Sequence, residues 1–448
     1  MHAMQKTRIH VGIDDTDSTR GGCTTYIVAV LVERLEKLGA AFFDYPYLVR
    51  LNPNVPWKTR GNGALSFRVE CEEKLAAKIK ATVISTVKEM SDLAAKGTDP
   101  GIVFLCSLKV PAQIASFAEK TTTGIATLSE AKKLISKFGA EAVGFNTRRG
   151  IIGALAAVGK TFHNDYTYEL IAYRSHENIG TKRRVDSSSI FEMDLLTRPF
   201  TFNNVDLEKR RIIITPRGPD PILFGIRGES PKIVREAFEM VKPLEKVERW
   251  VIFRTNQGTD EHLVQTAALS DLRPYTSVVA KATVSQSPRV VPLRHVIFSV
   301  KDHSGETDCA AYEPTGNLRK VASALIVGDC VEIYGAVRKR PGKEMLTVNL
   351  EKINVLSLAP KTKLENPVCP KCEKRLESAG KGQGFRCKKC GAKLKQAQKV
   401  KVVEPRELKT GLYITSTRSQ RHLTKPLSRY GLEKKNLAVQ TIGSQWHG

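Results

Sequence analysis

Near its end the chain reads CPKC, fourteen residues, then CKKC, and no other feature limits the local fold so tightly. Cys369, Cys372, Cys387 and Cys390 form two pairs with two residues inside each pair, a spacing that wraps each turn around one side of a tetrahedral ion. Four thiolates close the coordination sphere, so the ion they suit is a structural Zn2+. A redox pair or disulfides would draw on the same residue types. The other five cysteines, Cys23, Cys71, Cys106, Cys309 and Cys330, are scattered singly, as small buried side chains are.

The ribbon lies in the most basic part of the chain. From residue 360 onward there are 21 Lys or Arg against 6 Asp or Glu, within a whole-chain balance of 71 to 46 and a formal charge of +25. That asymmetry points to a polyanion, a nucleic acid or an anionic membrane surface, with a merely soluble basic tail as the plain alternative. Charged residues at 26% and hydrophobic residues at 41% exclude wholesale disorder. At roughly 100–200 residues per domain, 448 residues suggest two to four domains. No apolar run approaches the roughly 20 residues of a bilayer span; residues 150–159 are among the longest. The opening MHAMQKTRIH lacks the apolar core of a signal peptide, so a cytoplasmic protein with few disulfides is expected.

The hydropathy pattern divides the chain. Residues 7–14 read as a strand ending in carboxylates, and 24–38 as a helix with Thr24 or Thr25 at its cap. Strands follow at LVRLN, 63–70 and 166–174, with helices around 76–95 and 128–138, an α/β or α+β order. A smaller layer spans about 198–264: strands RRIIITP, ILFGIRG and RWVIFRTN, and a helix capped by Ser230 with Pro231 at its first position. Residues 271–357 carry strand–turn–strand signals, with Pro341-Gly342 at one turn, and resemble an OB-fold β-barrel.

Chemistry concentrates in GIDDTDSTRGGCTTY. Asp14, Asp15 and Asp17 crowd like charges at a strand end, an arrangement that a cation relieves, and Mg2+ takes oxygen ligands and bridges carboxylates to phosphates. Exposed amides of the Gly-rich turn before the helix would receive a phosphate. An Asx-turn with helix caps accounts for one or two of the aspartates. A second loop, KTRGNGA, sets Lys58 and Arg60 beside Gly61, Asn62 and Gly63; it suits phosphates but lacks the Walker spacing, and a glycine-rich hairpin turn has the same composition. Residues 15–19 also satisfy the D-x-D-x-T pattern of haloacid-dehalogenase-like phosphotransferases, with Asp15 as nucleophile and Asp17 as its acid/base.

The stretches VGIDDTDSTRGGCTTY, VRLNPNVPWKTRGNGA, FNTRRGIIGALAAVG, YTYELIAYR, FGIRGES and FRTNQGTDEHL, followed by the CPKC–CKKC pair, resemble in order the archaeal tRNA(Ile) 2-agmatinylcytidine synthetase family. The resemblance covers most of the chain. It implies a multidomain fold: a kinase-like catalytic domain (1–195), a ferredoxin-like domain (196–268), an OB-fold domain (271–358), a zinc ribbon (366–396) and a basic C-terminal tail (397–448). It implies an ATP-dependent ligase joining agmatine to the C2 carbon of the wobble cytidine in a tRNA(Ile) with a CAU anticodon, through a phosphorylated cytidine. No protein partner and no membrane are implied.

The family consumes ATP to AMP and phosphorylates a threonine, which the CTTY match places at Thr24. Asp14, Asp15 and Asp17 fall on its acidic catalytic motif with Mg2+, and residues 58–63 on phosphate binding. Agmatine is a dication and needs carboxylates, for which Asp165 and Glu169 are the candidates, with plain surface solvation the alternative for Asp165. The barrel, ribbon and tail, including residues 417–431, are expected to grip the tRNA through phosphates. Residues 175–189 and 443–448 carry no motif, and the latter are expected to fray. A non-catalytic RNA-binding protein built on the barrel and ribbon is the competing reading, which the three aspartates oppose.

Overall fold

Strands that alternate with helices in the first half of the chain settle into one twisted sheet. The computed structural model describes residues 5–339, 342, 345–435, 442–443 and 445–448. Its largest sheet has ten strands, in the spatial order Glu141–Gly144, Gly101–Cys106, Lys6–Asp14, Gly63–Glu72, Tyr47–Arg50, Val247–Thr255, Thr167–Arg174, Ile222–Gly228, Thr201–Phe202, with Ala41–Phe42 beside Gly63–Glu72. The neighbours run antiparallel except at one short parallel seam, where Arg254 and Thr255 pair with Tyr47 and Leu48. Ile9, Val11 and Ile13 alternate inward from Lys6–Asp14 and are fully buried, which fixes that strand's register against Gly63–Glu72 and Gly101–Cys106.

Helix Gly150–Gly159 packs on the central strands so closely that glycine is required at the contact. A Cβ on Gly12 would lie 2.0 Å from the Ala154 carbonyl oxygen, and one on Gly153 would lie 1.8 Å from Oδ2 of Asp14. This apolar helix therefore sits directly behind the carboxylates that end the strand.

The expected boundary at 195/196 does not fall at a break in the packing. Ala172, Val185, Ile190 and Met193 share one buried cluster with Leu223, Phe224, Ile226 and Ala237, and Thr167–Arg174 is hydrogen-bonded to both Ile222–Gly228 and Val247–Thr255. The unit expected to begin at residue 196 thus draws its strands from both sides of residue 195.

Several element expectations shift for local reasons. The helix expected over 76–95 ends at Met90, because Asp92 accepts hydrogen bonds from Arg20 (2.8 and 2.7 Å) and Ser18 (3.2 Å) and turns the chain toward the aspartate loop. Within RRIIITP only Arg211–Ile212 forms a ladder, while Ile213, Ile214 and Pro216 line a cavity. Neither threonine caps the first helix: Cys23 is its N-cap, and Thr24 and Thr25 are its buried first residues. Helix Pro231–Met240 starts as expected, with the Ser230 hydroxyl accepting from Ile233 N–H.

The second core is a barrel. Ser277–Val291, His295–Lys301, Glu306–Ala311, Leu346–Ser357 and Cys330–Lys339 pair in that order, and the last strand closes on the first. Helix Asn317–Ser323 covers its base with Leu318 and Ala322 fully buried. Of the Pro341-Gly342 turn, Pro341 lies outside the described residues. A two-stranded stalk, Lys361–Glu365 with Val400–Glu404, carries the ribbon and its three short strands.

The tail is a folded strap. Gly411–Ile414 adds to the barrel strand Leu346–Ser357, and Arg429, fully buried, reaches Asp165 and Glu229. Residues 443–448 do not fray where they are described. Trp446 is 6% exposed, its carbonyl accepts from Ile252 N–H at 2.8 Å, and that of Gly448 accepts from Trp250 N–H at 2.7 Å. No helix among the described residues is long and apolar enough to cross a membrane.

Candidate active site

Where strand Lys6–Asp14 ends, its carboxylates open into a cavity of about 440 Å³. Asp15 adopts φ 60°, a left-handed conformation that aims the backbone of residues 15–22 around the mouth of the first helix. Asp14, Asp15 and Asp17 all line the cavity, as do Thr24, residues 58–63 and Glu169. Sequence positions separated by more than a hundred residues therefore meet there.

Two of the carboxylates have cationic or hydroxyl partners. Asp15 accepts from Thr59 Oγ1 at 3.3 Å and from Arg149 Nη2 at 3.1 Å, and Asp17 lies 3.3 Å from Arg60 Nε. Burial, reinforced by Asp15 and Asp17, raises the Asp14 carboxyl well above the usual carboxylate range. Burial also raises Asp15 and Asp17, against the opposing charges of Arg149 and Arg60. A carboxyl held this way is a site short of positive charge. Hard oxygen donors of this kind suit Mg2+, which needs only one or two protein carboxylates. The three do not converge on a common point: among the described residues, the group whose ligand atoms do so is the cysteine set.

Those four sulfurs lie within 4.8 Å of one another, with Cys369–Cys390 at 3.5 Å, Cys372–Cys387 at 3.4 Å and Cys372–Cys390 at 3.7 Å. Zinc–sulfur bonds of about 2.3 Å in a tetrahedron give edges of roughly 3.8 Å, so the set fits a closed Zn2+ site. Backbone N–H groups, that of Cys390 foremost, pull the Cys387 thiol down to about 6, toward the thiolate that a metal needs.

Thr24 presents a buried hydroxyl 2.9 Å from that of Thr16, and Thr25 pairs with the Cys23 thiol at 2.9 Å. The second loop is partly committed: Arg60 donates to the carbonyls of Ser18 (2.8 Å) and Gly21 (3.2 Å), stapling the loop to the aspartate turn. Lys58 donates to the Arg60 carbonyl at 3.0 Å, and Asn62, at φ 51°, donates to Asn52 O at 2.7 Å.

The two carboxylates expected for agmatine part company. Glu169 is in the cavity wall, with Arg227 Nε donating to it at 3.1 Å and Gln257 also bound. Asp165 is not among the residues that line the cavity; Arg429 of the strap donates to its two oxygens at 3.0 and 2.9 Å. Its charge belongs to the interior of the fold.

The cavity holds functional groups the motifs did not single out: Arg50, Arg149, Asp220, Arg227, and from the strap Thr417, Gln420 and His422. Arg149 lies in the NTRRG stretch, whose paired arginines were the one available signal. The strap residues lie within 417–431, which the sequence offers for tRNA contact but gives no sign of reaching the cavity. Several strap cations are spent internally, Arg406 on Asp329, Arg418 on Asp206 and Lys425 on Glu433, whereas Lys371, Lys381, Arg386, Lys389, Lys393 and Lys395 of the ribbon, and Lys399, Lys401, Lys409 and Lys435 of the tail, are exposed and without an ion pair among the described residues.

Family models match four consecutive parts of the chain: the TiaS TCKD domain over 10–147, the TiaS FLD domain over 148–262, an OB-fold nucleic acid binding domain over 278–356, and the TiaS C-terminal zinc ribbon domain over 366–408. The tRNA(Ile) 2-agmatinylcytidine synthetase TiaS of Methanosarcina mazei is 43% identical over 94% of this chain and 97% of its own, and that of Pyrococcus horikoshii is 43% identical over 94% and 96%. Among solved structures, a complex of TiaS with its isoleucine tRNA and ATP superposes with a TM-score of 0.85 at 40% identity, and a complex of TiaS with that tRNA, AMPCPP and agmatine with 0.83 at 38%, each covering 94% of this chain and 97% of the other. With four modules matched in order and relatives aligned almost end to end, the chain belongs to the tRNA(Ile) 2-agmatinylcytidine synthetase family.

Proposed function

We propose that the protein uses ATP to join agmatine to the C2 carbon of the wobble cytidine in a tRNA(Ile) with a CAU anticodon, forming 2-agmatinylcytidine in the cytosol. The observation that carries this reading is that Asp14, Asp15 and Asp17 line one cavity together with Thr24 and the loop 58–63. Relatives of this length and identity, crystallised with their isoleucine tRNA, ATP and agmatine, support it.

The chemistry explains the parts. A carbonyl oxygen on an aromatic base is a poor leaving group. Transfer of a phosphoryl group from ATP to the C2 oxygen, the new O–P bond forming as the donor's bridging P–O bond breaks onto the departing nucleotide, makes that oxygen part of a phosphate, and the primary amine of agmatine then attacks C2. The C2–N bond forms, the C2–O bond breaks with its electron pair leaving on phosphate, and the amine loses a proton. The cationic side chains and backbone amides of 58–63 bind the nucleotide phosphates. One or two of Asp14, Asp15 and Asp17 would hold Mg2+, which when bound would neutralise charge for phosphoryl transfer. Thr24 is the phosphoryl-accepting hydroxyl by its position in the family motif, held by Thr16. Glu169 remains the carboxylate offered to the agmatine dication, and Asp165 does not.

The base must leave its stack to reach this cavity. The barrel and the exposed lysines of the ribbon bind the tRNA backbone. Replacing each aspartate in turn, Asp14→Asn, Asp15→Asn and Asp17→Asn, is expected to abolish radiolabelled agmatine incorporation into tRNA(Ile) while the zinc content stays at that of the wild type. Retained incorporation in all three variants removes the carboxylates from the mechanism.

A further inference from the structure

The strap brings a histidine into the cavity under unusual control. Gly258 N–H donates to the His422 carbonyl at 2.8 Å and Asp260 N–H to the Leu423 carbonyl at 2.8 Å, which clamps the backbone on the far side of the ring. In the ring, Nδ1 lies 2.9 Å from Arg227 Nη2. A guanidinium carries donors only, so Nδ1 accepts, and the proton of the neutral imidazole sits on Nε2. Among the described residues Nε2 has no hydrogen-bond partner.

That free donor faces the glycine-rich loop. A side-chain carbon on Gly61 would stand 3.0 Å from His422 Nε2 and 3.1 Å from Arg50 Nη1, so both groups look across the same bare Cα. Burial, with Arg50, Arg227 and Lys58 nearby, keeps the imidazole neutral by lowering its pKa far below the ordinary value. His422 Nε2–H and Arg50 Nη1 meet at this point as donors, while the nearby acceptors are engaged, Glu169 by Arg227 Nε at 3.1 Å and Gln257 Oε1 by Arg50 Nε at 3.3 Å. A phosphate oxygen accepts from a neutral N–H without adding a further positive charge to the cluster.

We propose that His422 Nε2–H and the Arg50 guanidinium bind a phosphate oxygen of the nucleotide, so that the C-terminal strap completes the cradle begun by residues 60–63. The inference rests on the nucleotide reading above, and its test separates the two. The binding of a non-hydrolysable ATP analogue to the full-length protein is measured by calorimetry for the wild type, His422→Asn and His422→Gln. Asparagine can still accept from Arg227 but cannot reach with a donor. Glutamine places an amide N–H near the Nε2 position.

His422→Asn is expected to weaken the analogue by about ten- to a hundredfold, the range for a hydrogen bond to a charged group, and to raise the KM for ATP while the KM for agmatine stays unchanged. His422→Gln recovers most of the affinity, and melting temperature and zinc content do not move. Should the asparagine variant fold poorly, Gly61→Ala gives the second arm, since its methyl presses on Nε2 and Arg50 from the loop side and weakens the analogue equally. Wild-type affinity in a folded His422→Asn or Gly61→Ala protein overturns the proposal, as does a glutamine variant no better than asparagine. A wild type that binds the analogue but attaches no agmatine to tRNA overturns the proposed reaction and leaves the cradle standing.

Discussion

Asp14 keeps its position because residue 153 has no side chain. With the Cβ site of Gly153 only 1.8 Å from Oδ2, Gly153→Ala forces the carboxylate or the helix to move. A displacement of that size at a reacting centre costs about 100-fold in rate, which a turnover assay reads beside an intact zinc content. His10 offers a pH test. Burial, aided by Arg68, lowers its pKa to about 4, and its Nε2 bonds the Ser107 carbonyl at 2.9 Å. The folded state thus refuses a proton that the unfolded chain accepts. The associated stability is complete above about pH 6.5 and is lost as the pH falls toward 4, by about 3 kcal/mol in all. Urea unfolding followed by tryptophan fluorescence should show that slope in the wild type and a shallower one in His10→Gln. At this scale the sequence revealed the acids but not their partners. Asp14, Asp15 and Asp17 announce themselves by crowding, whereas Thr59 and Arg149 reach Asp15 from 44 and 134 residues away.

Elements were legible where one periodicity dominated. The strand Lys6–Asp14, the helix capped by Ser230 and the cysteine turns follow directly from alternation, capping and spacing. They were illegible where a tertiary contact overrode local preference: the apolar run RRIIITP lines a cavity, and the tail is a strap held by Arg429 on Asp165 and Glu229. No local signal distinguishes a basic arm from a basic strap, because the deciding carboxylates lie elsewhere in the chain. The ribbon depends on its metal for the opposite reason. Its buried cluster is Cys369, Leu376, Phe385 and Cys387, too little apolar surface to fold unaided. Zinc contributes about 10–16 kcal/mol in comparable small modules. Chelation should therefore make the lysines between Cys369 and Cys390 readily cleaved by trypsin while the ten-stranded sheet stays protected. Mass mapping of the fragments checks this, and an unchanged digestion pattern would contradict it.

For the molecule as a whole, charge and chemistry occupy opposite parts. Of the positive charge in the last 89 residues, Arg406, Arg418 and Arg429 are held in ion pairs within the fold, while most ribbon cations and several of the tail are exposed to solvent. The acidic cluster at the end of the first strand sits within a basic protein. A continuous sheet joins the two catalytic-half modules through the short parallel seam at Arg254 and Thr255, and the strap closes over it from the barrel. Such an architecture suits a polyanion held by the ribbon and barrel while one base enters the cavity. The most direct test is mass spectrometry of the tRNA(Ile) anticodon fragment after incubation with the zinc-loaded protein, ATP and agmatine. The account predicts a gain equal to agmatine less one water at the wobble cytidine, absent when ATP is withheld. An unmodified fragment from folded, zinc-loaded protein would contradict it.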